Sequence, residues 1–152
     1  MTAAPTLRPA APGDLESIVA LDRAHSGASR RGFFEKRWQA MTASPDAFVS
    51  IVAVSAERIV GFVLAHVIDG EFGADAPAAV LDAIAVDPAA RSHAAGAALM
   101  RALVDGARAR QVREIRTQAR WDERDLVGFF ARCGFRLAPK VVLERSTAAP
   151  GW

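Results

Sequence analysis

One stretch of the chain, residues 80–110, restricts the possible folds more than any other. Residues 80–86 (VLDAIAV) form an apolar run of strand length, and Asp87-Pro88 ends it because proline cannot donate to a sheet ladder. Small residues follow, and apolar side chains then recur at steps of three and four, which is typical of an amphipathic helix. These apolar positions are Leu99, Met100, Leu103, Val104 and Ala107. The predicted order is buried strand, small-residue turn, helix.

The turn between this strand and this helix, residues 91–97 (RSHAAGA), has a chemical consequence. The first N–H groups of a helix lack partners within the helix and lie at the positive end of its dipole. Because most side chains of the turn are small, an anion such as phosphate can approach those groups, with Arg91 adding a charge-assisted contact. Spacing alone fits an ordinary alanine-rich loop equally well. The glycine patterns of P-loop and dinucleotide-binding proteins are absent from the sequence.

Composition narrows the class of protein. With 152 residues, 51% of them hydrophobic, the chain is expected to form a single domain over 1–152, with its core at about 6–145 and a tail at 146–152. A net charge of only +2 and the lack of a basic run argue against a nucleic-acid-binding surface. One cysteine, Cys133, excludes an internal disulfide and is expected to be a core thiol. We see no secretion leader or membrane-spanning run, so the expectation is a cytoplasmic protein without a membrane partner.

The other elements follow from periodicity and turn residues. Strands are expected at residues 7–10, 48–54, 59–67, 114–119 and 141–143, with a hairpin turn at 55–58. Helices are expected at residues 14–25, 30–41 and 121–132, with Gly27 ending the first and Gly134 the last. In the second helix, Phe33, Phe34, Trp38 and Met41 form the apolar face, which predicts a core stripe flanked by the solvated Arg30 and Arg31.

Two motifs resemble a known family. Arg91-x-x-Ala94-x-Gly96 resembles the acyl-CoA pyrophosphate loop of the GNAT acetyltransferase superfamily, Q/R-x-x-G-x-G/A, although Ala94 stands where the family usually has its first glycine. Val86-Asp87-Pro88 precedes the loop at the family's distance. Residues 125–135 (DLVGFFARCGF) are similar to the helix and "GF" segment that follow the fifth strand in this family. The opening LRPAAPGDLESIVAL is similar to the family's first strand and helix, so the resemblance spans about residues 7–143.

The resemblance implies an α/β (α+β) fold of the GNAT type. Its central sheet would be mixed but mostly antiparallel, with six to seven strands splayed between strands 4 and 5 and flanked by about four helices. The arm of acetyl-CoA, the implied co-substrate, would enter the gap and bind backbone groups of Ile84, Ala85 and Val86. The pyrophosphate would lie on the loop formed by Arg91, Ser92, His93, Ala94, Ala95, Gly96 and Ala97. The second helix, with Arg30, Arg31 and Trp38, would help to line the acceptor pocket.

The sequence departs from the family pattern at the position of its usual proton donor. Many GNAT enzymes have a tyrosine five residues before the phenylalanine of "GF", and Phe130 stands at that position in a chain without any tyrosine. Phe130 can pack against the arm of the co-substrate but cannot donate a proton to the departing thiolate. The position near the start of this helix that is often asparagine in the family, and that contacts the co-substrate, is Glu123.

Two residues are candidates for the base that deprotonates an acceptor amine. Asp82 is a carboxylate within an otherwise apolar strand, and period-two alternation predicts that it shares a face with Ile84 and Val86. Pairing with an arginine, or binding of a cationic acceptor, explains its presence equally well. His66, on the third strand, is the second candidate, whereas His93 in the loop is expected to contact phosphate.

Three functions are open at this point. The first is an acetyl-CoA-dependent N-acetyltransferase that acts by direct transfer on a primary amine of a small molecule or a peptide. The second is an acyl-CoA-binding module without catalysis, suggested by Phe130 and Ala94. The third, a nucleic-acid-binding protein, is disfavoured by the balanced charge. No metal site is expected, and pairing into a homodimer through an edge strand is left open.

Overall fold

The computed structural model describes residues 3–90 and 93–148, which include five strands and four α-helices. The strands are β1 (Thr6–Pro9), β2 (Phe48–Ser55), β3 (Arg58–Ile68), β4 (Ala78–Val86) and β5 (Ile115–Arg116). The helices are α1 (Leu15–Ser26), α2 (Arg31–Ala43), α3 (His93–Ala109) and α4 (Arg124–Arg132). The chain divides into two compact units, Met1–Gln118 and Ala119–Trp152. Arg91 and Ser92, predicted to belong to the phosphate loop, lie outside the described residues.

The sheet belongs to the first unit and has the strand order β1-β2-β3-β4-β5. Every neighbouring pair is antiparallel except β4 and β5, which are parallel. Ala56 and Glu57, both with positive φ, form the two-residue turn between β2 and β3, as a type I′ hairpin requires. The α/β class and the mixed sheet are therefore confirmed. The predicted six to seven strands are not, since the described residues contain five.

The differences from the predicted elements are concentrated after α3. The strand expected at 114–119 is only Ile115–Arg116. The helix expected from 121 begins at Arg124, after a turn in which Arg120 and Asp122 form a local ion pair. Residues 141–143 are not a strand, and their side chains are at least 74% exposed. Strand-forming residues adopt that structure only against a neighbouring strand, and within the described chain these three find none.

Helices cover both faces of the sheet in the first unit. The face that α1 and α2 cover is built from large buried side chains: Ile18, Val19, Phe34, Trp38, Phe48, Val52, Phe62 and Leu64. On the opposite face, α3 lies so close to β2 that a Cβ at Gly106 would be only 2.8 Å from Val49. The predicted stripe of α3 is confirmed, with Leu99, Met100, Leu103 and Ala107 buried and Val104 half-buried. This arrangement fixes β4 between two helical layers.

Two arginines at the start of α2 hold it against α1. Arg30 donates to both carboxylate oxygens of Asp22, at 2.9 and 2.5 Å, and its guanidinium lies over the Phe33 and Phe34 rings. Arg31 donates to both oxygens of Glu16, at 2.7 and 2.8 Å. The apolar face of the second helix therefore packs into the core, as predicted. Its two arginines are partly solvated, as expected, but they also form ion pairs that join α2 to α1.

The ion pair between Arg8 and Asp14 gives the fold a pH-dependent contribution. Arg8 donates to the two Asp14 oxygens at 2.7 and 3.0 Å, and this hydrogen bonding lowers the pKa of Asp14 below its ordinary value. A carboxylate with a lowered pKa stabilises the folded state above its unfolded pKa of about 3.9, and that contribution disappears as the pH falls through the folded pKa. We expect Arg8→Met to lose about 1 kcal/mol of unfolding free energy near neutral pH, and progressively less below about pH 4. Urea denaturation across this range measures the difference, and a loss that does not change with pH would contradict this explanation.

Candidate active site

The parallel pair β4 and β5 separates after two residue pairs, Ala79 with Ile115 and Val80 with Arg116. Thr117 then donates from its hydroxyl to the Leu81 carbonyl oxygen at 3.0 Å, in place of a further backbone bond. Beyond this contact, the edge of β4 at residues 82–86 has no strand partner among the described residues. We call the opening between the two strands the fork. The sheet is therefore splayed between strands 4 and 5, and unpaired backbone groups face the fork.

The register identifies those backbone groups. In an antiparallel ladder both backbone groups of a residue point to the same side, and the side alternates along the strand. The Asp87 N–H donates to the Val60 carbonyl at 2.7 Å, so the backbone groups of Ala85, two residues earlier, also point to β3. Those of Ile84 and Val86 point into the fork. Of the three residues predicted to bind the co-substrate through their backbone, two present N–H and C=O groups to the fork that have no backbone partner among the described residues.

A β-bulge lies at the fork, and Asp82 is its extra residue. Leu64 pairs with Ala83 and Ala65 with Leu81, so that no residue of β3 lies opposite Asp82. A bulge of this kind turns two successive residues towards the same face and ends the simple alternation. Ala83, the next residue, belongs to the core beneath α1 and α2. The Asp82 side chain points to that same face, where it contacts α2.

The prediction that Asp82 shares a face with Ile84 and Val86 is therefore wrong. Val86 pairs with Gly61, where an added Cβ would lie 3.1 Å from the Leu99 side chain of α3. Ile84 and Val86 thus face α3, whereas Asp82 faces α2. The inserted bulge residue shifts the alternation by one position, which is why period-two counting failed.

Asp82 is bound by two basic side chains. His66 Nδ1 lies 2.7 Å from Asp82 Oδ2, and Arg37 approaches the same carboxylate with Nε at 3.2 Å and Nη2 at 3.5 Å. The Arg37 guanidinium also lies over the Phe33 ring, 5.0 Å from its centroid. We call these three residues the His66–Asp82–Arg37 cluster. Their side chains are 23%, 10% and 31% exposed, so the cluster lies at the boundary between core and solvent.

The cluster joins both predicted base candidates and one residue that sequence reasoning missed. Of the explanations for Asp82, the structure shows pairing with an arginine, and it adds a histidine. Arg37 is separated from Asp82 by 45 positions, and its place in α2 gave no sign of such a contact. The only signal was the buried acid itself, which requires a partner.

A helix follows the fork, as the strand–turn–helix order predicted, but it begins at His93, so residues 93–97 of the predicted turn belong to the helix. Ala95 is buried, Gly96 and Ala97 are half-buried, and Ala94 is exposed. The first N–H groups of this helix, from His93 onwards, have no partners within it. The small side chains of residues 94–97 would allow an anion to approach these N–H groups, so the described residues at the start of this helix are of a kind that can accommodate a phosphate.

The second unit contains the two remaining predicted contacts. Glu123 precedes α4, is exposed, and accepts a hydrogen bond from the Arg120 backbone N–H at 2.8 Å. Phe130 is buried and packs against Phe129 and Phe135, with ring centroids 5.7 and 5.2 Å away. Cys133, at the end of α4, is half-buried. Phe130 thus packs against aromatic side chains of its own unit, and its contact with the arm of the co-substrate stays a prediction.

Metal and membrane features are not found in the described part of the chain. Residues 3–90 and 93–148 contain no group of three or more His, Cys, Asp or Glu side chains that could hold a metal ion. None of their helices combines the length and the apolar character that crossing a membrane requires.

In the loop between β3 and β4, Glu71 forms an ion pair with Arg116 of β5, which compensates the negative charge of Glu71.

Several solved structures are similar to this chain over nearly the whole length of both chains. The aminoglycoside 6'-N-acetyltransferase AAC(6')-Ih from Acinetobacter baumannii is 16% identical, with a TM-score of 0.79 over 95% of this chain and 99% of that one. AAC(6')-Iy, solved with a bisubstrate analog, is 18% identical, with a TM-score of 0.81 over 96% of this chain and 100% of that one. Glucosamine-6-phosphate N-acetyltransferase from Arabidopsis thaliana is 13% identical, with a TM-score of 0.74 over 95% of this chain and 99% of that one. At these identities the likeness shows the fold.

Sequence comparison gives the family. No curated protein matches this chain. The acetyltransferase (GNAT) family profile, however, matches residues 16–135, which include the fork, the cluster, α3 and α4. With that match over most of its length, the chain belongs to the GNAT acetyltransferase family.

Proposed function

We propose that this protein is an acetyl-CoA-dependent N-acetyltransferase that acetylates a primary amine. The fork carries the proposal, because Ile84 and Val86 present unpaired backbone groups in an edge that an extended amide chain can join. The pantetheine arm of acetyl-CoA contains two amides and has the length and polarity of a short peptide strand. It would add to β4 as a strand adds to an exposed sheet edge.

The phosphate end of acetyl-CoA would lie at the start of α3. The free N–H groups there, together with the small side chains of Ala94 and Gly96, support this placement. Arg91 and Ser92 would complete the loop by analogy with the family motif, and the Arg91 charge would strengthen phosphate binding. In the second unit, Phe130 would pack on the co-substrate, and Glu123 takes the position of a family contact.

The reaction would be a direct transfer with both substrates bound. The neutral amine nitrogen of the acceptor forms a bond to the acetyl carbon, and the carbon–sulfur bond of the thioester breaks. Since the chain has no tyrosine at the family position, the thiolate leaves unaided or takes a proton from solvent, which its stability as an anion allows. The chain's own contribution is to hold the two substrates together and to remove the proton of the ammonium.

Two of the similar structures support a proposal for the class of acceptor. The similar structures include enzymes named for aminoglycosides and for glucosamine 6-phosphate, whose acceptors are amines of polar small molecules. We therefore propose a primary amine on a small polar molecule or a peptide. The balanced charge and single cysteine support a cytoplasmic enzyme without a nucleic-acid partner.

A second function, binding of acyl-CoA without catalysis, is favoured by one observation: Phe130 offers no hydroxyl where the family's proton donor usually lies. The deciding experiment measures thiol release from acetyl-CoA with a panel of amines, including glucosamine, kanamycin, lysine and a lysine peptide. Product mass should rise by one acetyl group for at least one amine. Binding of acetyl-CoA without turnover for every amine would favour the second function.

A further inference from the structure

Within the proposed function, we infer that His66 is the group that accepts the proton of the acceptor's ammonium, and that Asp82 and Arg37 are positioning residues for it. This assignment reverses the order in which the sequence suggested the two base candidates. It rests on the geometry of the His66–Asp82–Arg37 cluster and on its place beside the fork.

The register places His66 next to the fork. His66 pairs with Val80, and Val80 pairs with Arg116 in the last residue pair before β4 and β5 separate. The His66 ring therefore lies in the row of residues where the fork begins, on the face covered by α1 and α2. Its side chain is 23% exposed, so an acceptor amine that enters from solvent can contact the ring.

Asp82 is the poorer choice for the base because its carboxylate already contacts both basic side chains of the cluster. Oδ2 lies 2.7 Å from His66 Nδ1 and 3.2 Å from Arg37 Nε, and Oδ1 lies 3.5 Å from Arg37 Nη2. Arg37 has only donors and is always charged, so the Asp82 carboxylate lies beside a fixed positive charge. A proton arriving on Oδ2 would have to compete with the contacts to His66 and Arg37, and Oδ1 faces the Arg37 guanidinium.

The same contacts fix the state of the His66 ring. A carboxylate only accepts hydrogen bonds, so the proton of the neutral imidazole lies on Nδ1, and the lone pair is on Nε2. Among residues 3–90 and 93–148, no hydrogen bond to Nε2 is found. His66 therefore presents a free acceptor nitrogen, and Asp82 stabilises the imidazolium that forms when Nε2 takes up a proton.

The proton balance is complete with these groups. One proton of the ammonium moves to Nε2 and from there to solvent, which leaves a neutral amine. The amine nitrogen bonds to the acetyl carbon, and the carbon–sulfur electron pair leaves with the sulfur. The second proton, lost from nitrogen as the amide forms, neutralises the thiolate as free thiol. No oxidant, metal or further reactant is required.

Nuclear magnetic resonance of the imidazole nitrogens tests the ring state directly. Long-range ¹H–¹⁵N spectra of the wild-type protein should show His66 with its proton on Nδ1, the signal being assigned by its loss in His66→Gln. In Asp82→Asn, Arg37 retains the amide oxygen, so the amide NH₂ faces His66 and donates to Nδ1. The His66 proton should then move to Nε2, whereas His25→Gln, at the exposed end of α1, should leave the His66 signal unchanged. A wild-type proton on Nε2 would overturn the assignment.

Kinetics test the role, using whichever amine of the glucosamine, kanamycin, lysine and peptide panel gives turnover. His66→Gln and Asp82→Asn should each lower kcat about 10²-fold or more, with the KM for acetyl-CoA within about twofold of wild type. Arg37→Lys, which keeps the charge but not the two-nitrogen contact, should lower kcat by about tenfold. His25→Gln should have wild-type kcat.

The outcomes separate the two proposals. An active wild-type enzyme whose kcat survives in His66→Gln overturns the inference and leaves the proposed function standing. A wild-type protein that turns over none of the four amines contradicts the proposed function itself, and the role of His66 as proton acceptor with it. Folding of each variant is verified by its thermal transition, so that a loss of kcat is not a loss of structure.

Discussion

Ile84→Pro is expected to weaken acetyl-CoA binding by about tenfold or more while the protein still folds. The Ile84 N–H points into the fork rather than to β3, so a proline there removes no ladder hydrogen bond. What it removes is the backbone N–H that we propose donates to the pantetheine arm, and one such hydrogen bond is worth about 1.4 kcal/mol, or tenfold in Kd. Calorimetric titration with acetyl-CoA measures the change, with Ile84→Val as the control that keeps the N–H and most of the side chain.

Ala85→Pro is the matched variant one residue along. The Ala85 backbone groups point to β3, so a proline at this position removes a buried ladder bond in the middle of the sheet. We expect a loss of about 3 kcal/mol in unfolding free energy, measured by urea denaturation. If both prolines destabilise the fold equally, the assignment of backbone groups around the bulge is wrong. If Ile84→Pro folds and binds acetyl-CoA as the wild type does, the co-substrate does not pair with this edge.

Arg30→Ala is expected to lower the unfolding free energy by about 3 kcal/mol, because it leaves the Asp22 carboxylate without its ion-pair partner in the core. Asp22 is only 2% exposed and receives two hydrogen bonds from Arg30. The neighbouring pair provides the control. Arg31 makes the same two-bond contact with Glu16, but these side chains are 45% and 71% exposed.

Because solvent screens the exposed pair, Arg31→Ala should lose no more than about 1 kcal/mol. Urea denaturation of the two variants measures the contrast, and acetyl-CoA affinity should change little in either. Equal losses for Arg30→Ala and Arg31→Ala would mean that burial of Asp22 does not determine the energy of the α1–α2 contact.

The elements with strong local patterns were predictable from the sequence. Apolar periodicity and turn residues predict β2, β3 and the hairpin turn between them, and also the order of strand, turn and helix from β4 to α3. They do so because each of these strands and helices has a buried face of its own. The prediction of a strand at 141–143 was wrong for the opposite reason. Its residues have strand propensity, but pairing depends on an edge elsewhere in the chain, which local sequence does not reveal.

The candidate site was predictable in its residues and not in its geometry. His66 and Asp82 were identified as base candidates, but a bulge that adds one residue to β4 reverses the face of Asp82. The position of a bulge depends on how two strands pair, so the sequence of one strand alone does not predict it. Arg37 was missed for the same reason, since its contact with Asp82 exists only after α2 has packed on the sheet.

Titration of the wild-type protein with acetyl-CoA and CoA, followed by calorimetry and thermal unfolding, determines whether this chain binds the proposed co-substrate. A ligand that binds only the folded state raises the unfolding temperature as its concentration exceeds Kd. We predict saturable binding of both compounds with one site per chain, a clear rise in unfolding temperature, and weaker binding by Ile84→Pro. If neither compound binds or raises the unfolding temperature, acetyl-CoA is not the co-substrate of this protein, and the fork and the start of α3 have another use.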